Sequence, residues 1–528
     1  YRVIRRKNEH VMWRSWSRDN AGFLKVSEAG DLPGIQGLAR EGTGVELKTS
    51  AIGRAVRGDV DGRRTPADGA LDLKYEVSPG VTLDATAHTD FAQADVDDVQ
   101  INLTRFSLFF PEKRDFFLEN AGVFEFGNRG VFEPPPWLMF FSRRIGISDS
   151  GEIPVLGGVR VTGRAGGQTF GLLHMQTAAA LGERRSAYSV ARLKRDVGSG
   201  GYVGAMYSAK NGGGTEGAGG LDFQYWPTPT MNVQGFVAAV ESPAPSPAPA
   251  PTPAPSLQDR LAYRLVANRE VERWGLRVER MVFGESSDPP IGFATRTDIQ
   301  RNDATIRFSF RPSAFGLRRI ENYNFFSYLT RTDGALQDRG MGPALNFTFN
   351  SGENVTFYRV QAVTVLDDSF DLADRLPVAP GRFQNSQTGM FVSTASQRPV
   401  SFSAHAQHQP FYGGSLFFVN GTLNVAIGAR GFVGLTRAFN DASVPAGRLI
   451  TNVTGLRLGY AFNTRATMST TVQYDGLDRV VRANARLVYM YRPGSELFVV
   501  LNGEREDGVL AASQPRAALV KLTYLARL

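Results

Sequence analysis

Cysteine is absent from the 528-residue sequence. That excludes a disulfide framework, a cysteine-built zinc or iron–sulfur site and a thiol nucleophile. Long apolar runs are missing too. No stretch approaches the ~18 residues of a membrane-crossing helix, so a helical membrane protein is excluded. Histidine is scarce, with His10, His88, His174, His405 and His408 only. His405 and His408 stand three apart, which on a strand turns them to opposite faces and makes a poor metal site. No glycine-rich phosphate loop leads into a helix, and no nucleophile elbow surrounds a serine. The chain is therefore not read as an enzyme, and no catalytic residue, metal or cofactor is expected. Basic residues outnumber acidic ones by only 59 to 51, a net charge of +8, and they are dispersed. A nucleic-acid partner calls for a clustered basic stripe and is not expected.

What the chain has in plenty is two-residue alternation. Val481, Ala483, Ala485, Leu487, Tyr489 and Tyr491 interleave with Arg482, Asn484 and Arg486. Ala518, Val520, Leu522, Tyr524 and Ala526 interleave with Lys521, Thr523 and Arg527. The same holds for Ala304 to Phe310, Leu456 to Phe462 and Leu221 to Tyr225. Each segment is about ten residues long, enough for a tilted strand to cross a bilayer. Arginine and aspartate sit mid-strand opposite an apolar face with aromatic ends. A water-lined lumen accepts the charges and lipid accepts the other face, whereas a soluble sandwich or propeller accommodates them poorly. The predicted fold is all-β: a large antiparallel transmembrane β-barrel over residues 44–528, of about 26 strands or alternatively 24. Its place is the bacterial outer membrane. Residues 1–43 read as a periplasmic or lumenal lead-in. The chain opens at Tyr1 without an apolar leader, as if downstream of a removed signal or an upstream part.

Short turns such as Ser78-Pro79-Gly80 and Pro493-Gly494 alternate with longer polar connections, which orients short turns to the periplasm and loops to the outside. The Pro/Ala-rich stretch 242–257 falls in a long-loop slot and reads as a tolerated extracellular expansion. Asp90, Asp95, Asp97 and Asp98 match no calcium-loop spacing and read as a solvated turn.

From Phe106 to Phe141 the alternation fails. The segment is too aromatic for a solvated loop and too irregular for a strand. A barrel this wide encloses a lumen that is commonly plugged, so residues 110–135 are expected to fold inward as a plug or constriction. The parity of turns predicts that it leaves the wall from the short-turn end. Its candidate residues are Phe109, Phe110, Lys113, Arg114, Phe116, Phe117 and Glu119, with Arg143 and Arg144. The aromatics, with Leu118 beside them, would either pack as the plug's own core or offer a stacking surface for sugar rings. Lys113, Arg114, Asp115 and Glu119 would meet wall charges such as Arg105, Arg143 and Arg144.

Asn102-Leu-Thr-Arg-Phe-Ser-Leu-Phe-Phe-Pro-Glu-Lys-Arg-Asp-Phe-Phe-Leu-Glu119, with Ile4-Arg-Arg-Lys-Asn-Glu9, Phe140-Phe-Ser-Arg-Arg-Ile-Gly146, Tyr491-Arg-Pro-Gly-Ser495 and Lys521-Leu-Thr-Tyr524, resembles a family of bacterial outer-membrane barrel domains of unknown function. In that family the barrel follows a domain similar to family-9 carbohydrate-binding modules, which is not found in these residues. The family normally ends in Phe, whereas this chain ends in Leu528.

The function expected is a plugged channel or transporter for a polar solute, with a saccharide as one candidate. The alternative is a non-conducting structural or docking barrel that anchors a periplasmic domain or partner complex. The expected partners are outer-membrane lipid, a saccharide or other polar solute, and an envelope protein.

Overall fold

A computed structural model of the chain describes residues 2–4, 9–11, 44–57, 67–88, 99–127, 135–148, 151–198, 200–241, 255–312, 314–506 and 516–528. The acidic cluster at Asp90, Asp95, Asp97 and Asp98, most of the Pro/Ala-rich stretch and nearly all of 1–43 lie outside these residues. Within 1–43, the backbone of Arg2–Ile4 pairs with Glu9–Val11.

The alternating segments form one closed antiparallel barrel. Its strands begin with β1 (Val45–Arg57), β2 (Ala67–Ser78), β3 (Val81–Ala87), β4 (Val155–Ala165), β5 (Gln168–Thr177), β6 (Ser186–Val197), β7 (Gly201–Asn211) and β8 (Thr215–Thr228). They continue as β9 (Met231–Glu241), β10 (Leu261–Glu270), β11 (Trp274–Phe283), β12 (Ile299–Phe310), β13 (Leu317–Thr330), β14 (Leu336–Phe349) and β15 (Asn354–Leu366). Gly381–Gln384 and Gln387–Ser393 both pair with β15 and together make β16, a single interrupted strand. Then come β17 (Val400–Phe411), β18 (Gly414–Ile427), β19 (Gly431–Val444), β20 (Gly447–Ala461), β21 (Ala466–Asp475), β22 (Val480–Arg492), β23 (Ser495–Glu506) and β24 (Arg516–Arg527). β1 pairs with β24 from Glu46↔Arg527 to Arg57↔Arg516, which closes the ring.

The barrel thus has 24 strands, the alternative count, not 26. A count of 26 needs two further strands, beginning near Asp98 and Pro136. Neither enters the wall, because β3 pairs directly with β4, Ala87 opposite Gly157. Residues 88–154 are one excursion between two hydrogen-bonded neighbours. It also leaves from the end that carries the long connections, not from the short-turn end. Removing two surplus strands keeps the number even and the ends in phase, but reverses the side from which this excursion departs.

Pro-Gly turns close the other end. Gly80 and Gly494 have φ of 86° and 78°, the left-handed region that a type II turn demands after its proline. Along the strands the alternation resolves as expected. Leu522 and Tyr524 are 48% and 47% exposed on the outer face, while Lys521 and Thr523 are 4% and 0% exposed on the inner one. Exposed apolar side chains such as Leu172, Leu221, Ile306, Phe357, Phe417, Leu435 and Leu501 cover the outside. Arg359 and Arg437 interrupt that face near mid-strand, where long stems let guanidinium groups snorkel.

Candidate functional site

The excursion between β3 and β4 fills one side of the lumen. It starts from a clip in its own chain. The Glu112 carboxylate accepts from the backbone N–H of Lys113 and Arg114, at 3.0 and 2.9 Å, and from Ser142 Oγ at 2.6 Å. Arg114 Nε donates to the same carboxylate at 2.8 Å. The guanidinium also donates to the carbonyls of Ile145 and Ser142, each at 2.6 Å, and lies 4.2 Å from the Phe117 ring centroid. Two distant arms of the excursion are thereby held together. Burial raises the Glu112 pKa, but the bonds and charge of Arg114 outweigh it and hold the carboxyl below the usual carboxylate range. A one-turn helix, Asp115–Leu118, follows and is stopped by Asn120 in the left-handed region.

The wall grips this unit from below. Arg160 Nη1 donates to the carbonyls of Phe116 and Glu119, while Nη2 is paired with Asp84 Oδ2 at 2.8 Å. Glu119 pairs with Lys74 and Arg160, wall residues outside the expected arginine set. Asn120 Nδ2 donates to Thr162 Oγ1 at 3.2 Å, and Lys194 Nζ to the Gly122 carbonyl at 3.2 Å. Arg192 and Asp222 form a bidentate pair at 2.6 and 2.7 Å, with both side chains 0% exposed. Asp222 Oδ2 also accepts from Tyr202 Oη at 2.9 Å and from the backbone N–H of Gly127 at 3.0 Å. Gly204 makes room for the pair: a Cβ there would lie 2.7 Å from both Arg192 Nη1 and Asp222 Oδ1.

Above these bonds lies an apolar core. Phe117, Phe124, Phe126, Trp137 and Met139 are buried against Leu173, Met175, Met206 and Phe236 of the wall. Trp137 stacks on Phe236 with centroids 5.3 Å apart. Close fit explains two glycines. A Cβ on Gly171 would come within 2.9 Å of Phe124, and one on Gly127 within 2.4 Å of Phe236. Each fully buried large side chain contributes roughly 1.5–3 kcal/mol. These rings are packing residues. Phe109 joins them at one edge, stacked on Phe141 at 5.1 Å, with Arg143 5.9 Å from the Phe110 centroid. Leu118 is the exception, 49% exposed.

A second inward loop, between β11 and β12, completes the unit. Phe293–Ala294 pair with Trp137–Leu138, Trp137 Nε1 donates to the Ser287 carbonyl at 2.8 Å, and Arg144 Nε to the Gly292 carbonyl at 3.1 Å. Burial pushes the Asp288 carboxyl up, with Arg144 partly offsetting it. Towards the far wall, Arg105 Nη2 donates to Gln337 Oε1 at 3.1 Å, and the Asn102 carbonyl accepts from Ala373 N–H at 3.0 Å. Leu103 packs beside Leu372 and Leu376. The insert is therefore tied to opposite sides of the lumen near the loop end.

Alternation marks Asp222 as lumenal, but its partnership with Arg192 depends on register across β6 to β8. The role of the β11–β12 loop had no signal beyond its length. Among the described residues, no group of three or more His, Asp or Glu is placed to hold a metal ion.

Residues 52–156, from β1 to the start of β4, match the domain of unknown function DUF5916. No curated protein matches. Among solved structures the chain is similar to the ferric yersiniabactin uptake receptor FyuA from Yersinia pestis, at 7% identity over 91% of this chain and 80% of that one, with a TM-score of 0.42. It is similar to the ferric enterobactin receptor PfeA from Pseudomonas aeruginosa in complex with BCV-L6, at 10% identity over 92% and 82%, TM-score 0.41. It is also similar to Pseudomonas aeruginosa OpdQ, at 7% identity over 92% and 97%, TM-score 0.28. These likenesses are distant. The placement of the chain as a bacterial outer-membrane β-barrel follows from its own closed, outwardly apolar wall.

Proposed function

We propose that this outer-membrane barrel is a plugged channel or transporter for a polar solute, with the described residues 99–127 and 135–148 of the excursion as the plug and the loop end facing outside. The observation that carries the reading is the double anchorage of the insert. Wall side chains from Lys74 to Asp222 hold one flank, and Gln337 and Ala373 hold the other. An element that only docked a periplasmic partner would need no such fixation across the lumen. A saccharide agrees with the polar lumen and with the family resemblance, in which the barrel follows a sugar-binding-like domain. The reading assigns no catalytic role.

The register supplies the experiment. Ala87 and Gly157 face each other, so residues 89–155 can be replaced by a short Gly-Asn turn without opening the wall. The excised barrel, checked for folding by heat-modifiable gel mobility, should show larger single-channel conductance in planar bilayers and admit larger polar solutes in liposome swelling. A folded excised barrel that conducts no better than the intact chain would overturn the plug, and absence of conductance in both would assign the chain to the non-conducting docking class.

A further inference from the structure

The lumen wall is chemically divided. Inward positions of β1 to β14 carry Lys48, Asp72, Lys74, Asp84, Arg160, Arg192, Asp222, Glu279, Arg307 and Glu321, and those of β20 to β24 carry Arg457, Arg482, Arg486, Glu504 and Lys521. Between them, β15 to β19 are different. Phe357, Met390, Phe417 and Leu435 are exposed on the outer face. The register then turns Asn354, Thr356, Tyr358, Phe391, Ser403, His405, Gln407, Phe418, Asn420 and Asn440 inward. No Asp, Glu, Lys or Arg occupies an inward position on these five strands.

Within this neutral panel the rings are laid out as a platform. Tyr358 lies across Gly389, where a Cβ would come within 2.4 Å of its Cζ and Oη. Its hydroxyl is pinned by His405 Nε2 at 2.8 Å and by Gln407 Oε1. A ring held flat against the wall at its far end turns its face to the lumen. His405 is wedged edge-on against Phe418 at 4.9 Å and near Phe391 at 6.4 Å, and Phe391 is itself 38% exposed. Towards the short-turn end of the same strands opens a cavity of about 660 Å³, lined by Arg318, Asn354, Ser393, Ser401, Ser403 and Asn424 among others. Asn354, Ser393 and Ser403 each stand one inward step or two from Tyr358, Phe391 and His405. That volume is within the range of small-molecule sites.

We infer that the Tyr358–Phe391–His405–Phe418 face and the adjoining hydroxyl- and amide-lined cavity form a binding site for a neutral polyhydroxylated ring, the chemistry of an uncharged saccharide. Fixed aromatic faces receive the C–H face of such a ring, and amides and hydroxyls exchange hydrogen bonds with its hydroxyls. The five strands of the panel bring no ionised side chain, which leaves Arg318, from neighbouring β13, as the one charged residue lining the cavity. The inference deepens the solute-channel reading by naming the ligand class and the wall that holds it, but it does not depend on conduction.

The test is titration calorimetry on the whole chain in a detergent without a sugar headgroup. Maltohexaose, cellohexaose and xylohexaose are the neutral probes, and hexagalacturonate is the anionic one. At least one neutral hexamer should bind, and more tightly than hexagalacturonate. Tyr358→Ala and Phe391→Ala should each weaken it about tenfold, the scale of one lost aromatic contact. Tyr358→Phe should weaken it less, and Phe357→Ala, on the outer face of the same strand, should leave it unchanged. Failure of all three neutral hexamers, tighter binding of the anionic one, or equal affinity in the platform variants overturns the site. Conductance without sugar binding would refute this site and leave the channel standing. Sugar binding without conductance would do the reverse.

Discussion

Asp222 couples the wall to the insert through the Gly127 N–H, and its removal can be worked through. Asp222→Ala strips a fully buried Arg192 of its carboxylate and leaves Tyr202 Oη and the Gly127 N–H without their acceptor. Breaking a buried pair on one side costs about 3–5 kcal/mol, because an uncompensated charge remains. Arg192→Leu should cost a similar amount through the stranded carboxylate. The double variant Asp222→Leu/Arg192→Leu has no buried charge. It loses the Gly127 and Tyr202 bonds at roughly 1–3 kcal/mol each at most, and gains apolar contact. The pair is not saturated even in the native chain, since Arg192 Nε has no hydrogen-bond partner among the described residues. The double variant should therefore be about 2 kcal/mol or more better than the sum of the singles, a coupling typical of touching residues. Guanidinium unfolding in phospholipid vesicles measures the stability. Protease nicking of residues near Gly127 reports detachment of the insert, and should rise in Asp222→Ala while the barrel keeps its heat-modifiable mobility. A single variant costing under about 1 kcal/mol, or a double as damaged as the sum of the two singles, refutes the reasoning.

Facing is best tested on two adjacent residues of β23. Leu501 is 52% exposed outside and Asn502 is exposed inside. Leu501→Arg should cost about 2–4 kcal/mol in bilayers and Asn502→Arg under about 1, so equal costs would contradict the register. Thr523 would be a poor inner control, because its hydroxyl accepts from Glu496 N–H at 2.9 Å and it has no room for a longer chain. For pH, the depressed pKa of Glu112 means that its stabilising contribution is present above the usual carboxylate value of 4.5 and is lost as pH falls through the lower folded value. Protease resistance of the insert should drop in that acid window and Glu112→Gln should abolish the step. Asp288, whose pKa burial raises, contributes with the opposite sign, stabilising as the neutral acid and losing that as pH rises, so Asp288→Asn separates the two. An acid step that persists in Glu112→Gln would assign it to another group.

Most of the wall was legible from the sequence because a strand with lipid on one face and water on the other must alternate. Leu522 and Lys521 announced their faces before any partner was known. The insert was legible only as a failure of that rule: Phe116 and Phe117 are consecutive and cannot share one face of a strand. Its extent was not legible. Residues near Asp98 and Pro136 carry enough apolar character to resemble strands, and only the direct pairing of Ala87 with Gly157 shows that the wall closes without them. The charged contacts were harder still. Arg114 turned to Glu112, two residues away, and Glu119 turned to Lys74 and Arg160, choices fixed by how the chain folds on itself and not by composition. The neutral panel was present in the sequence only as Asn, Gln, Ser and Thr scattered at alternate positions between Asn354 and Asn440. It becomes a panel only when register shows that Arg359, Arg382, Arg437 and Asp441 point the other way.

The direct pairing of β3 with β4 also has a consequence for the order in which this molecule is assembled. Every strand that grips the insert's first flank beyond β3 is made after it, at short range: Arg160 lies 44 residues from Phe116, and Asp222 lies 95 from Gly127. The seam is of another kind, with Arg527 bonded to Glu46 across 481 residues. Closing that span costs about 2 kcal/mol more loop entropy than closing the nearest insert contact. The first half of the wall can thus wind around a nucleus that is already in the chain, as a globular domain grows around its core, while the second half has only its own hairpins to follow and is completed by the seam. Strands β15 to β19 belong to that late half. The wall that carries the neutral panel is thus the wall built without that template.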